Sequence, residues 1–132
     1  MPQAASLFNI GCFQFSMAEK AAIYCRVSTE EQAKEGISMP AQQERCRAFC
    51  IARGWAIHKV YSDPGFSAGT MKRPAMKELL QDAASQLFDV ILVYKIDRFS
   101  RNLKDLVLVL EDLKKKKINF SSVTEQIDTT TA

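Results

Sequence analysis

The amino-acid sequence predicts an α/β fold, with a mostly parallel sheet of about four to five strands flanked by helices. From Ala21 onward, short apolar runs rich in β-branched residues alternate with segments of helical period, which is typical of a parallel sheet covered by helices. Residues 88–94 are almost continuously apolar, as expected of a strand buried on both faces. The chain has 132 residues, which is enough for one hydrophobic core and too few for two.

The first strand and first helix are predicted from the N-terminal half. Residues 21–27 form an apolar β-rich run, and Ser28 stands at its carboxyl end, where open α/β sheets place their ligands. After a polar loop, Ser38 is suited to cap a helix that runs to about Arg53. Gly54 is then expected to end this helix, because glycine readily adopts the left-handed conformation of a C-terminal cap.

The middle of the chain predicts two further strands around a helix. Residues 56–61 are expected to form the second strand, and residues 62–72, which contain one proline and two glycines, a long loop. Pro74 suits the first turn of the next helix. Residues 88–94 then form the third strand, and residues 95–98 are expected to leave its carboxyl end.

The last third of the chain predicts a helix and a strand. Asn102 can cap a helix that extends to Lys117 and carries leucines and valines at helical spacing. Residues 118–123 read as the last strand. We expect residues 18–132 to form the folded domain, and residues 1–17 to be disordered or non-native.

Composition narrows the classes of function. The 18 Lys and Arg against 15 Asp and Glu give a net charge of +3, which tolerates a nucleic-acid partner without requiring one. The four cysteines form no C-x-x-C pair and His58 is the only histidine, so a zinc site is not expected. We expect reduced thiols and a cytoplasmic protein. The apolar stretch 7–15 is too short to span a bilayer, so no membrane partner is predicted.

Polar residues cluster where the first and third strands end. A phosphodiester is an anion that gains charge during phosphoryl transfer, and guanidinium groups are suited to holding it. An arginine inside an apolar strand, such as Arg26, is costly unless it is paired or reaches a polar site. An ion pair of Arg26 with Asp63 or Asp97 is the structural alternative. The strand ends would bring together Arg26, Ser28, Lys95, Asp97, Arg98 and Arg101.

Three ordered blocks of sequence resemble a known family. Residues 24–32, YCRVSTEEQ, resemble the Y-x-R-V-S-T-x-x-Q opening of the resolvase/invertase serine recombinases. Residues 61–67, YSDPGFS, followed by Arg73 and Pro74, resemble the second block of the family, and residues 94–102, YKIDRFSRN, the third. The resemblance extends from about Lys20 to the last residue. It is strongest to the large serine recombinases, the integrases and transposases of mobile elements.

The resemblance implies a catalytic site. Ser28 would be the nucleophile that attacks the scissile phosphate, leaving a 5′-phosphoseryl enzyme and a free 3′-hydroxyl. Asp97 would orient an arginine or help to move a proton, and Gln32 would support the loop that carries Ser28. No metal or other cofactor is implied. The phosphate would be held by Arg26, Arg73, Arg98 and Arg101, with weaker supporting roles for Asp63, Lys95 and Glu125.

The resemblance also implies partners. DNA would be the substrate, and members of the family act as dimers and tetramers built by a long helix that follows the catalytic sheet, with DNA-binding domains beyond it. This chain stops before those elements. We therefore expect it to be a truncated catalytic domain that is monomeric or weakly dimeric and that lacks full recombination activity on its own.

Three alternatives remain at this point. Residues 65–69 fit the G-x-S-x-G motif of α/β-hydrolases, but that motif requires a histidine downstream and His58 lies upstream. A carboxylate cluster of Asp63, Asp97 and Glu125 could hold Mg²⁺ in a nuclease, although it gives Ser28 no role. A noncatalytic flavodoxin-like module would leave these residues as a solvated rim, with Ser28 a cap or turn residue.

Overall fold

The computed structural model describes residues 19–27, 38–65 and 73–125. These residues form four strands and four helices. In chain order the elements are β1 (Lys20–Val27), α1 (Met39–Arg53), β2 (Ala56–Pro64), α2 (Pro74–Ala84), β3 (Val90–Val93), α3 (Ile96–Phe99), α4 (Leu103–Lys115) and β4 (Asn119–Ser122).

The four strands form one parallel sheet in the order β2-β1-β3-β4. This confirms the predicted fold class. β1 and β3 are the two central strands, and every residue of β3 is buried, as the continuous apolar run predicts. A parallel strand covered on both faces has no solvent-facing side, so its sequence lacks the alternation of apolar and polar residues that is typical of a half-exposed strand.

Helices cover both faces of the sheet. On one face Ile23 and Cys25 of β1 pack with Cys46 and Cys50 of α1. On the other face alternate residues of β1, including Tyr24, pack with α2, α3 and α4. Successive side chains of a strand point to opposite faces, so Arg26 shares the face of Tyr24.

The predicted helix caps are confirmed. The Ser38 hydroxyl accepts a hydrogen bond from the Ala41 amide at the start of α1, and Gly54 ends this helix with φ 73°. That φ lies in the left-handed region, which glycine adopts without steric cost. The Asn102 side chain accepts from the amides of Lys104 and Asp105 at the start of α4.

Several predicted boundaries are wrong. β2 continues past residue 61 to Pro64 because β1 continues beside it, pairing Arg26 with Asp63. The third and fourth strands are shorter than residues 88–94 and 118–123. α4 ends at Lys115 rather than Lys117, because Lys117 takes φ 62° and the chain turns back towards the sheet.

Residues 95–98 do not simply leave the third strand, as the sequence suggested. Residues 96–99 form α3, a single helical turn. Ile96 packs against the core and Phe99 is fully buried in it. A helical turn brings residues three apart to one side, so both apolar side chains can reach the core together.

In the described part of the chain, no helix has the length and apolar character needed to cross a membrane. The cysteines described, Cys25, Cys46 and Cys50, are buried free thiols. Burial raises the pKa of Cys50 to about 11.

Candidate active site

The candidate site lies at the carboxyl edge of the sheet, between β1 and β3. β2 flanks β1 on one side and β3 and β4 follow on the other, so the direction of strand addition reverses between β1 and β3. Such a reversal leaves a crevice beyond the carboxyl ends of the strands, where ligands of open α/β sheets bind. Arg26 reaches this edge from β1, and α3 follows β3 there.

Arg26 connects β1 to the α3 turn. It is 1% exposed, and its Nε donates to the carbonyl oxygen of Arg98 at 3.1 Å. Its Nη2 donates to the carbonyl oxygen of Asp97 at 2.9 Å. A buried guanidinium requires such acceptors, because its desolvation is otherwise uncompensated. These main-chain contacts hold the end of the central strand and the α3 turn together.

Arg73 approaches the same turn from the start of α2. It is fully buried and donates from Nη1 to the carbonyl oxygen of Arg98 and from Nη2 to that of Phe99. Its guanidinium also lies 5.4 Å from the centroid of the Tyr24 ring. Burial lowers the pKa of Arg73, and the nearby Tyr24 and Asp63 oppose this effect. The desolvated cation would be stabilised by an arriving anion.

Asp63, at the end of β2, is an N-terminal cap for α2 supplied from another element. Its carboxylate accepts from the amides of Ala75 and Met76 at 2.8 and 2.9 Å and from the Tyr24 hydroxyl at 2.8 Å. Arg73 occupies the cap position of α2, but its side chain makes no capping bond. Asp63 thus completes the helix start, which Arg73 cannot do because a guanidinium has no hydrogen-bond acceptor. Burial raises the pKa of Tyr24, and the bond to Asp63 adds to this shift.

Asp97 and Arg98 lie on the α3 turn itself. The Arg98 side chain is 6% exposed and the Asp97 side chain 44%, and Arg98 Nη1 lies 3.6 Å from Asp97 Oδ1. Among the described residues, three arginines at this edge are buried, whereas Asp63 is the one buried carboxylate. The local balance of charge therefore favours an anion.

The remaining described candidates lie around the turn. Lys95 and Arg101, on either side of α3, are exposed. Glu125, just beyond β4, accepts from the Ile96 amide at 3.1 Å and from the hydroxyls of Ser122 and Thr124. Glu125 therefore contacts the amide end of α3, whereas Arg26 and Arg73 contact its carbonyl groups.

Gln42 is a site residue that the sequence reasoning missed. Its buried amide donates to the Arg26 carbonyl oxygen at 3.1 Å and accepts from the Arg26 amide at 3.4 Å. It thereby holds the strand backbone two residues before Ser28. The signal was present, since Gln42 precedes Cys46 and Cys50 at four-residue spacing on the buried face of α1. A polar residue at a core position needs a buried partner.

Ser28 and Gln32 lie outside the described residues. What the structure does describe is the end of the strand that precedes Ser28. The Val27 carbonyl accepts from the Gly65 amide at 2.6 Å, and Gly65 has φ 80°, a conformation that favours glycine. With Gln42 on Arg26, both residues before Ser28 are anchored by neighbouring elements.

The geometry bears on two of the alternatives. In residues 19–27, 38–65 and 73–125 no group of three or more His, Cys, Asp or Glu side chains is placed to hold a metal ion. Asp63 and Glu125 instead accept N–H donors from different helices. His58 is exposed on β2, with its ring centroid 6.0 Å from that of Phe88. Most of the G-x-S-x-G segment, residues 66–69, lies outside the described part.

The chain matches the family model described as resolvase, N-terminal domain, over residues 21–132. Its fold is similar to that of the N-terminal catalytic domain of TP901-1 integrase, as seen in a crystal structure, with a TM-score of 0.81 and 44% sequence identity. The superposition covers 86% of this chain and 85% of the integrase chain. It is 39% identical over 97 residues to a putative DNA recombinase of Bacillus subtilis (strain 168), which is 74% of this chain. It is 31% identical over 108 residues, 82% of this chain, to a DNA-invertase of Escherichia phage P1.

The match covers only part of these curated relatives. The aligned region spans 19% of the Bacillus subtilis protein and 50% of the phage P1 invertase.

Proposed function

Because this chain belongs to the resolvase family of serine recombinases, we propose that it is the catalytic domain that cuts and rejoins DNA through a covalent phosphoserine at Ser28. The Ser28 oxygen attacks the backbone phosphorus as the hydroxyl proton leaves. A Ser28 O–P bond forms and the bond from phosphorus to the 3′ oxygen breaks. The leaving 3′ oxygen gains a proton, which balances the one lost by Ser28, and is released as a 3′-hydroxyl. Rejoining is the reverse attack by a 3′-hydroxyl, which restores the serine. Each exchange conserves the number of phosphodiester bonds, so no cofactor is required to drive it.

One observation carries this proposal. Arg26, Arg73 and Arg98 are buried together at the carboxyl edge of the sheet, beside the strand that leads directly into Ser28. Guanidinium groups in a partly desolvated site interact strongly with a phosphate and with the charge that develops during phosphoryl transfer. Acyl transfer, or the binding of an uncharged small molecule, would not require this concentration of cations.

The other residues take supporting roles in the proposal. Arg101 and Lys95 are exposed and would meet the DNA backbone, and Asp97 would orient Arg98 or help to move a proton. Asp63 would act through α2 and Tyr24 rather than on the phosphate. Gln32 would support the loop that carries Ser28.

The domain arrangement is also part of the proposal. We expect a downstream helix and DNA-binding domains to be needed for DNA affinity and for assembly into dimers and tetramers. The appropriate test protein is therefore an extended protein, in which this chain is followed by the downstream helix and DNA-binding domain of a relative.

The decisive experiment traps the covalent intermediate. The extended protein is incubated with a nicked DNA duplex from which the cleaved fragment diffuses away, and protein–DNA adducts are separated by denaturing electrophoresis and mapped by mass spectrometry. We expect the adduct at Ser28 and its absence in Ser28→Ala, with DNA binding retained. Ser85→Ala, at the end of α2, is the matched control and should form the adduct normally. An adduct that persists in Ser28→Ala would refute the assignment.

Metal dependence separates this proposal from a carboxylate-cluster nuclease. Cleavage by the extended protein should continue in excess EDTA, because arginines are proposed to neutralise the phosphate. Loss of cleavage on chelation, with recovery on adding Mg²⁺, would favour the nuclease.

A further inference from the structure

We propose that Glu125 is a positioning residue for DNA cleavage, which holds the α3 turn through the Ile96 amide and so places Asp97 and Arg98. This inference rests on the proposed function, since it concerns the geometry of the same phosphate site. It assigns Glu125 a role through the protein backbone rather than on DNA.

The α3 turn needs external support. It has four residues, it stands between β3 and α4, and it belongs to neither. A helix this short satisfies few of its own amide and carbonyl groups. Yet this turn carries Asp97 and Arg98, and its carbonyl groups receive the guanidinium groups of Arg26 and Arg73. A shift of the turn would therefore displace several proposed phosphate contacts together.

The turn is held at both ends by side chains of opposite charge. At its amide end, the Glu125 carboxylate accepts from Ile96 at 3.1 Å. At its carbonyl end, Arg26 and Arg73 donate to Arg98, and Arg73 also donates to Phe99. Each charge matches the partial charge that unpaired backbone groups give to that end of a helical turn.

Glu125 is itself fixed in place. One of its carboxylate oxygens, Oε1, accepts from the hydroxyls of Ser122 and Thr124 as well as from Ile96. Ser122 belongs to β4, so the contact ties the edge of the sheet to the turn. Burial acts to raise the pKa of Glu125, but these hydrogen bonds outweigh it and the pKa lies below its ordinary value. The carboxylate is therefore ionised at neutral pH.

The test compares Glu125→Ala with Glu125→Gln in the extended protein. Glutamine keeps an oxygen that can accept from Ile96, whereas alanine keeps none. We expect Glu125→Ala to lower the single-turnover cleavage rate by on the order of tenfold or more, as a displaced catalytic group does, while the Kd for DNA stays within about twofold. Glu125→Gln should recover most of the rate. Asp112→Ala, which removes a carboxylate from an exposed pair with Lys116, is the control and should cleave normally.

Two measurements distinguish positioning from general stability. In an Arg98→Ala background, Glu125→Ala should cause a smaller further loss than in the unmutated protein, because part of its effect passes through Arg98. In the unextended chain, hydrogen exchange of the Ile96 amide should accelerate in Glu125→Ala but not in Glu125→Gln, with the core amides of β3 unchanged.

Three cleavage results would overturn the inference. They are wild-type cleavage by Glu125→Ala, equal losses in Glu125→Gln and Glu125→Ala, and a full additional loss in the Arg98→Ala background. The exchange measurement involves no DNA, so an unchanged Ile96 amide would reject the Glu125 contact even if Ser28 forms its adduct. Absence of the Ser28 adduct in the unmutated protein would instead reject the proposed function.

Discussion

Replacing Asp63 with alanine removes the one buried carboxylate among the described residues and tests how the site is built. In the folded protein this side chain accepts from the Tyr24 hydroxyl and from the amides of Ala75 and Met76. The substitution leaves the start of α2 without its cap and leaves a buried hydroxyl without this acceptor. We expect a lower free energy of unfolding and a displaced Arg73 side chain.

The magnitude follows from these contacts. Loss of a helix cap costs about 1 kcal/mol, and a buried donor left unsatisfied costs roughly 1–3 kcal/mol. Together they lower the free energy of unfolding by about 2–4 kcal/mol. For a domain of this size, each kcal/mol corresponds to roughly 3–5 °C in Tm, so a fall of about 10 °C is expected.

Urea unfolding followed by circular dichroism measures this change. Asp112→Ala is the matched control, because its exposed pair with Lys116 should contribute at most about 0.5 kcal/mol. The double variant Tyr24→Phe/Asp63→Ala should lose less than the sum of the two single variants, since removing the hydroxyl also removes the unsatisfied donor. A loss below about 1 kcal/mol for Asp63→Ala, or strict additivity, would refute the proposed capping and hydroxyl contacts.

Four further predictions concern catalysis, the reactivity and the ionisation of the buried thiols, and assembly. Arg26→Lys should reduce the cleavage rate of the extended protein by on the order of 10²-fold, with little change in DNA binding. The reason is that lysine cannot reproduce the two directed N–H bonds that Arg26 donates to the α3 turn. Near-normal cleavage would contradict this prediction. In a Cys12→Ser variant, the buried thiols should react with a disulfide reagent at pH 8 only after unfolding, and rapid native reaction would contradict their burial. Burial raises the pKa of Cys50 to about 11, so as the pH rises the Cys50 thiol loses its proton in the unfolded chain before it does so in the folded protein. The free energy of unfolding should therefore be unaffected by this thiol below about pH 9 and should fall as the pH rises from about 9 to 11, as measured by urea unfolding at each pH. The unextended chain should sediment as a monomer or a weak dimer. A weak dimer would form through exposed apolar residues of α4 such as Leu108, which is 55% exposed. A stable tetramer at micromolar concentration would show that the interface lies elsewhere.

Local patterns determined most of the architecture. Continuous apolar runs marked the buried parallel strands, and Ser38, Gly54 and Asn102 marked helix ends through bonds and dihedral angles within their own segments. Such features depend on residues a few positions apart, and a single sequence contains them. The blocks around Arg26 and Arg98 likewise indicated both the family and the edge of the sheet where the candidate site lies.

The boundaries were predictable only in part. β2 runs to Pro64 because β1 extends beside it, and the α3 turn forms because Phe99 fits the core. Local secondary-structure propensity predicts neither feature, because each depends on contacts with a neighbouring element of the fold.

Only the tertiary structure decided which groups meet. Arg26 contacts Arg98 across 72 residues, and Glu125 contacts Ile96 across 29. From the sequence alone, Asp63 was a candidate for a weak supporting role at the site or for an ion pair with Arg26, and nothing in the sequence indicated that its carboxylate caps α2. The physical reason is that buried polar groups must find partners wherever packing brings donors and acceptors together. The sequence therefore determined the kinds of residue at the site, and the packing of β1, β2, α2 and α3 determined which of them hold one another in place.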